Sequence, residues 1–184
     1  MEFMLEFQQI ECSAIRPSPF NPRRRFKGQR FDKLVGSITE KGVLQPILVR
    51  PVENESITHE IVAGERRWRA SLKAEKKTIP CVVKEIDDDT AFEMLMIENL
   101  QHEDLLPWEE AKGFKMYLDK RGEAPEILAD RIKCEPSYIR RRLGILKLPK
   151  WVLAAWNKGK LKFGHLELLS RVEPERVKGY AMED

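Results

Sequence analysis

Cysteine is scarce in this chain of 184 residues, with only Cys12, Cys81 and Cys134. They are odd in number, far apart and never spaced as CxxC, which argues against a disulfide framework and a thiolate zinc knuckle. Such sparing use fits a reducing compartment. His59, His102 and His165 are equally scattered and make no metal-ligand pattern. No apolar run approaches the roughly 20 residues of a membrane span. The acidic start MEFMLEFQQIE lacks the apolar core of a signal peptide. Neither a Ser–His–Asp nor a Cys–His nucleophile arrangement is present, nor an internal repeat. These absences point to a soluble cytoplasmic protein with no membrane partner.

What is present is charge and a workable core. Apolar residues make up 42% of the chain, enough to exclude wholesale disorder. Charged residues reach 34%, yet the net charge is only +3, so local clusters carry more information than the total. The first half alternates strand and helix signals. EFQQIEC, LQPILVRPV, ITHEIVAG and IPCVVKEI read as strands. Phe31, Leu34, Val35 and Ile38 recur at helical spacing, with Gly42 as the stop, and ERRWRASLKAEKK reads as a second helix. NPRRRF reads as a basic loop, its Arg23, Arg24 and Arg25 either solvated charge or an extra contact to nucleotide or DNA. From Asp88 onward the signal is helical. Pro107, Pro125, Pro136 and Pro149 each sit where a new helix would take its first residue. The domain boundary is expected between Asp104 and Pro107, giving a mixed α/β unit over 1–105 and a helical unit over 106–184. Trp68, Trp108, Trp151 and Trp156 read as packing residues, and Cys81 as a buried, inert thiol.

The densest cluster lies in VAGERRWRA, where a glycine and three arginines follow a strand. A helix N-terminus has amides without internal acceptors and carries the positive end of the macrodipole. Glycine lets an anion approach the backbone, and Arg66, Arg67 and Arg69 add guanidinium donors suited to phosphate. The bland alternative is a solvated basic face, with Glu65 paired to one arginine. Glu98 and Asn99 are adjacent oxygen donors at a predicted helix end, a pair compatible with Mg²⁺ or with an ordinary helix end. Farther on, EAPEILADRIKCEPSYIRRRLGILKLP reads as two short helices joined by a tight turn. That is either a helix-turn-helix, its second helix bringing Arg140, Arg141 and Arg142 to DNA, or a helical hairpin with a basic face.

Taken together and in this order, GVLQPILVR, GERRWRA and ENLQHEDLLPWEEA resemble the ParB family of chromosome- and plasmid-partition proteins. NPRRRF and LGILKLP extend the resemblance over most of the chain. It implies an α+β architecture: a small mixed-sheet, ParB/sulfiredoxin-like N-terminal domain, then an all-helical helix-turn-helix DNA-binding domain. It also implies CTP and Mg²⁺ as ligands. The nucleotide residues carried over are Gly42, Gln45, Pro46 and Arg50 near the base, with Gly64, Glu65, Arg66 and Arg67 on the triphosphate. Glu98, Asn99, Gln101 and His102 complete the set. Glu98 and Asn99 would hold the metal, and Glu98 would orient water for slow hydrolysis to CDP. Ser137, Tyr138, Arg140, Arg141, Arg142 and His165 would meet DNA at a parS-like site.

Four departures from the family pattern stand out. His102 replaces the usual arginine after ENLQ. Lys133 and Cys134 replace the usual glycine of the turn. Glu135 stands at the cap of the second helix, where an anion would repel phosphate. In FGHLELL, Gly164 and His165 match the family but Glu167 and Leu168 stand where an arginine is expected. The expected role is a nucleoid-associated, CTP-dependent DNA clamp that self-associates through its N-terminal domains and answers to a ParA-type ATPase or another protein. A C-terminal dimerisation domain, usual in the family, lies outside these residues. Two other readings remain: a DNA-binding regulator that makes no use of nucleotide, and a CTP-binding adaptor that has given up parS.

Overall fold

The structure, a computed structural model, describes residues 6–23, 26–53, 56–101 and 105–172. Contacts divide the chain into Met1–Glu98 and Asn99–Asp184. The division falls inside one helix, a little before the boundary expected from the prolines.

The N-terminal unit is built on a five-stranded mixed sheet. Its strands are β1 (Glu6–Glu11), β2 (Ile15–Arg16), β3 (Ile47–Pro51), β4 (His59–Ala63) and β5 (Thr78–Val83), in the order β1-β5-β3-β4-β2. β1 runs antiparallel to β5, and β3 antiparallel to β4, while β3–β5 and β2–β4 are parallel. Period-two alternation sends Ile47 and Val49 inward, where they meet Ile10, Ile61, Ile79 and Cys81. Trp68 closes this core, its indole N–H donating to the Cys12 carbonyl at 3.0 Å.

Two helices of this unit pair with each other. α1 (Gln29–Lys41) and α2 (Glu65–Lys73) pack together through Phe31, Ile38 and Ala70. Gly42 ends α1 as its spacing predicts: it lies at φ 72°, and its N–H donates to the Ile38 carbonyl at 3.0 Å. α3 (Asp88–Gln101) starts at an Asp87 cap. Asp87 accepts from the Thr90 N–H at 2.8 Å and the Thr90 hydroxyl at 2.7 Å. Those bonds hold its carboxyl below the usual range. Phe92, Leu95 and Met96 are buried, with Phe92 edge-on to Phe20.

The helical unit continues with α4 (Pro107–Arg121), α5 (Pro125–Ile132), α6 (Pro136–Ile145), α7 (Lys150–Asn157) and α8 (Phe163–Leu169). Proline opens α4, α5 and α6, since the first helical N–H needs no acceptor and the ring fixes φ. Pro149 departs from the expectation by one residue: it is the cap before α7, held extended at ψ 148°. Trp151 is a second correction. It lies 37% exposed on the first turn of α7, whereas Trp108 and Trp156 pack around Leu148, Val152 and Leu166. No helix among the described residues is long and apolar enough to cross a membrane.

Candidate nucleotide and DNA sites

β4 delivers the chain to Gly64, and the conformation there explains the glycine. Gly64 sits at φ 98°, in the left-handed region. A Cβ at this point would come within 2.8 Å of Ile47 Cγ2 and 3.0 Å of Arg67 Nη2. α2 therefore opens hard against β3.

Arg67 closes the gap. Its Nη1 donates to the Gln45 carbonyl at 2.7 Å and to the Pro46 carbonyl at 2.6 Å. Burial pushes the pKa of the Arg67 guanidinium down from its ordinary value, and the charge of the Glu98 carboxylate counteracts that. Gly64, Arg67, Gln45, Pro46 and Glu98 are thus gathered, although 19 residues separate Gln45 from Gly64 and 31 separate Arg67 from Glu98. Arg66 lies half-buried beside them.

The other members of the set have different surroundings. Glu65 is 6% exposed and receives the Asn21 amide and Arg69 Nε, both at 2.6 Å. Arg69 also stacks on Phe26, 4.4 Å from its centroid. The bland reading, Glu65 paired with a neighbouring arginine, therefore describes this carboxylate, and Arg69 serves the loop rather than the helix mouth. Arg50 is bonded to Glu60, to the Ile86 carbonyl and to Asp88. Gly42 caps α1. Gln101 ends α3, and His102 lies outside the described residues.

Asn21, which the sequence did not single out, and Arg23, which it did, also belong to this region. Asn21 anchors NPRRRF to α2 through Glu65, and its Oδ1 accepts from the Arg23 N–H at 2.9 Å. Arg23 is consequently 7% exposed, a correction to the solvated-loop reading; Arg24 and Arg25 lie outside the described residues. The Asn-Pro start of that loop was the available signal, because asparagine bonds the backbone two residues on.

For the metal, the donor set narrows to one carboxylate. Successive helix residues point about 100° apart, so Glu98 and Asn99 face different directions, and Asn99 is buried. Among the described residues, no cluster of three or more His, Cys, Asp or Glu side chains is placed to hold an ion. One carboxylate plus phosphates is nonetheless an ordinary Mg²⁺ environment. Glu98 fits that role, beside Arg67.

In the helical unit α5 and α6 form the expected pair. The turn is made by Lys133 at φ 58°, ψ 48°, the left-handed position where glycine is usual. Cys134 N–H returns to the Ala129 carbonyl at 2.9 Å. Glu135 precedes α6 as its cap and makes no side-chain cap bond. Ser137, Arg140 and Arg141 are exposed on α6. Arg140 pairs with Glu126 of α5, and Arg141 stands 3.9 Å from Glu167.

Tyr138 and Arg142 turn inward instead. Arg142 Nε donates to Glu110 of α4 at 2.6 Å, and its guanidinium lies 4.6 Å from the Tyr138 ring and 4.2 Å from Phe163. Tyr138 donates to the same Glu110. These two residues lock α6 to its neighbours. His165 is exposed, and its Nδ1 accepts from the Lys162 N–H at 3.1 Å, so it caps the start of α8.

With this geometry in place, comparison with known proteins becomes informative. The ParB N-terminal domain model matches residues 3–100, and the ParB HTH domain model matches residues 103–183. The chain belongs to the ParB family. The chromosome-partitioning protein Spo0J of Thermus thermophilus is 42% identical over 167 residues, covering 91% of this chain and 61% of that protein. The chromosome-partitioning protein ParB of Caulobacter vibrioides is 40% identical over 163 residues, covering 89% and 54%. The chain thus spans only part of the length of these ParB relatives. A C-terminally truncated ParB from Caulobacter crescentus, solved on the centromeric parS site, matches with a TM-score of 0.68 at 34% identity, covering 92% of this chain and 88% of that one. The mixed-sheet unit followed by a helix-turn-helix unit is the architecture that the motifs implied.

Proposed function

We propose that this chain is a CTP-responsive DNA-binding switch of chromosome segregation. The N-terminal unit takes CTP with Mg²⁺, the helical unit engages a parS-like duplex, and nucleotide favours pairing of N-terminal units from two copies around DNA. The observation that carries this reading is the junction at Gly64. A left-handed glycine opens a helix against β3 while Arg67 ties that opening to the Gln45–Pro46 segment.

In this reading the first-turn amides of α2 and Arg66 receive the triphosphate, since anions are favoured at a helix N-terminus. Arg67 holds the 45–46 segment at the site and supplies positive charge. Glu98 holds the metal, whose contribution is to neutralise phosphate charge. Hydrolysis, which is slow, depends on positioning and charge with no covalent intermediate; Glu98 orients the water. Ligand binding draws α2 and α3 into one arrangement, so CTP shifts an equilibrium by differential binding. Ser137, Arg140 and Arg141 meet DNA from the opening turns of α6, as a recognition helix does.

A second reading, a DNA-binding regulator without nucleotide, is favoured by one observation: the Arg67 guanidinium is already bonded to two carbonyls. Calorimetry with CTP, ATP, GTP and UTP in Mg²⁺ separates the two. The proposal expects heat for CTP alone, abolished in Arg66→Ala; no CTP heat leaves the regulator. Binding to parS no tighter than to a scrambled duplex leaves the adaptor, which keeps nucleotide and has lost the DNA site.

A further inference from the structure

Arg50 belongs to a charged rung that crosses the sheet. Glu60 on β4 faces Arg16 of β2 on one side and Arg50 of β3 on the other. Arg16 Nη2 reaches Glu60 Oε2 at 2.8 Å, and Arg50 Nη2 reaches Oε1 at 3.0 Å. Glu60 and Arg50 are only 5% and 11% exposed. With both oxygens of Glu60 engaged, the planar guanidinium of Arg50 has little freedom left. Its second nitrogen points at the start of α3, 3.3 Å from the Ile86 carbonyl and 2.5 Å from Asp88 Oδ1.

Asp88 is the first residue of α3 and is 84% exposed. Ten residues along the same helix, about 15 Å by its rise, Glu98 lies in the field of Arg67. Arg50 therefore holds the first turn of the helix by an ion pair, while Arg67 acts on Glu98 toward the other end through charge alone.

We propose that Arg50 is a positioning residue and not a nucleotide ligand: braced by Glu60, it fixes the first turn of α3 to the sheet through Asp88 and so sets the reach of Glu98 toward Arg67. The nucleotide half of this inference rests on the proposed function; the strut itself does not. The sequence concealed it, because Arg50 sits inside the GVLQPILVR motif and Asp88 reads as an ordinary first-turn acid. Arg16 and Glu60 pair only through strand register.

The test uses the full chain with Asp88→Ala, Asp88→Glu, Arg50→Lys and the double variant Arg50→Lys/Asp88→Ala. Hydrogen exchange without nucleotide reads the strut. In Asp88→Ala, amides 89–98 exchange about threefold faster, the scale of one exposed ion pair, while β3, β4 and β5 are unchanged. Asp88→Glu restores protection. The losses in the double variant do not add, because lysine in place of Arg50 has already surrendered the second arm. CTP titration reads the consequence: affinity falls about two- to fivefold in Asp88→Ala and recovers in Asp88→Glu.

An α3 that exchanges as in the parent overturns the inference, whatever the nucleotide does. So does additive behaviour in the double variant, which assigns the effect to the helix dipole alone. Faster exchange with unchanged CTP affinity removes the positioning role. A parent chain that takes up no CTP defeats the proposed function and the positioning role together, while the exchange result still decides the strut.

Discussion

The two units use arginine in opposite ways. In the sheet unit Arg67 is bonded to main-chain carbonyls of a neighbouring segment, and Arg50 to a buried carboxylate with both oxygens engaged. In the helical unit Arg140 pairs with Glu126 when both side chains are about half exposed, and Arg141 merely approaches Glu167. A carbonyl cannot leave its arginine unless the chain moves, whereas an exposed carboxylate can swing away and surrender its partner to phosphate. The first kind of arginine defines the shape of a site; the second is charge held ready for exchange. Arg142 departs from its unit's exposed arginines, because it lies on α6 yet is stacked between two rings and bonded to Glu110.

The largest effect is expected where shape is most constrained. Gly64→Ala forces a left-handed alanine and a Cβ into Ile47, and should lower unfolding free energy by about 3 kcal/mol. Urea titration checks this; a loss below about 1 kcal/mol would break the shape argument for the sheet unit.

Next comes the contrast along α6. Arg142→Ala takes away the charged partner of Glu110, leaving it the Tyr138 hydroxyl, and should cost about 2 kcal/mol. Arg140→Ala should leave stability within about 0.5 kcal/mol while reducing the salt slope of DNA binding by about 0.9. Equal stability losses at the two positions would erase the distinction between locked and exchangeable arginines.

A smaller gain is expected at the turn. Lys133→Gly relieves a left-handed lysine and should stabilise by about 1 kcal/mol, read from the thermal midpoint of the helical unit.

The last contrast is in alkali. Burial first, then the neighbouring Cys12, push the Cys81 thiol up to about 12 from a reference of 9.0. A raised folded value means that the contribution is intact below pH 9 and fades as pH climbs toward 12. The sheet unit should therefore loosen over that window, and Cys81→Val should flatten the loss; Cys134 lies only half-buried in the helical unit. Dye labelling near neutral pH should modify Cys134 before Cys12 or Cys81.

Much of this architecture was legible because local chemistry and fold agree. Prolines at 107, 125 and 136 open helices, Gly42 closes one, and the Gly64 junction lies where its glycine and arginines point. Pro149 was misplaced by one residue because a cap and a first helical position both accept proline. β2 was invisible because two residues carry no period, and their strand character depends on β4. The site was harder to read. Motif membership grouped Arg50 with Arg67, but register separates them: Arg50 meets Glu60 across a strand pair, and Arg67 reaches back over the Gly64 turn. Likewise RRR gives no hint that its third member turns inward, which follows from 3.6 residues per turn and the position of α4.

The strand order has one further consequence. The first strand among the described residues, Glu6–Glu11, has its sheet partner in Thr78–Val83, more than 60 residues later. A ribosome adding about 5–20 residues per second leaves that strand waiting several seconds, and its Phe7 stays 71% exposed even after folding. Until Thr78–Val83 has been made, the backbone donors and acceptors of Glu6–Glu11 lack their sheet partner, which is the state in which a strand is open to pairing with another chain.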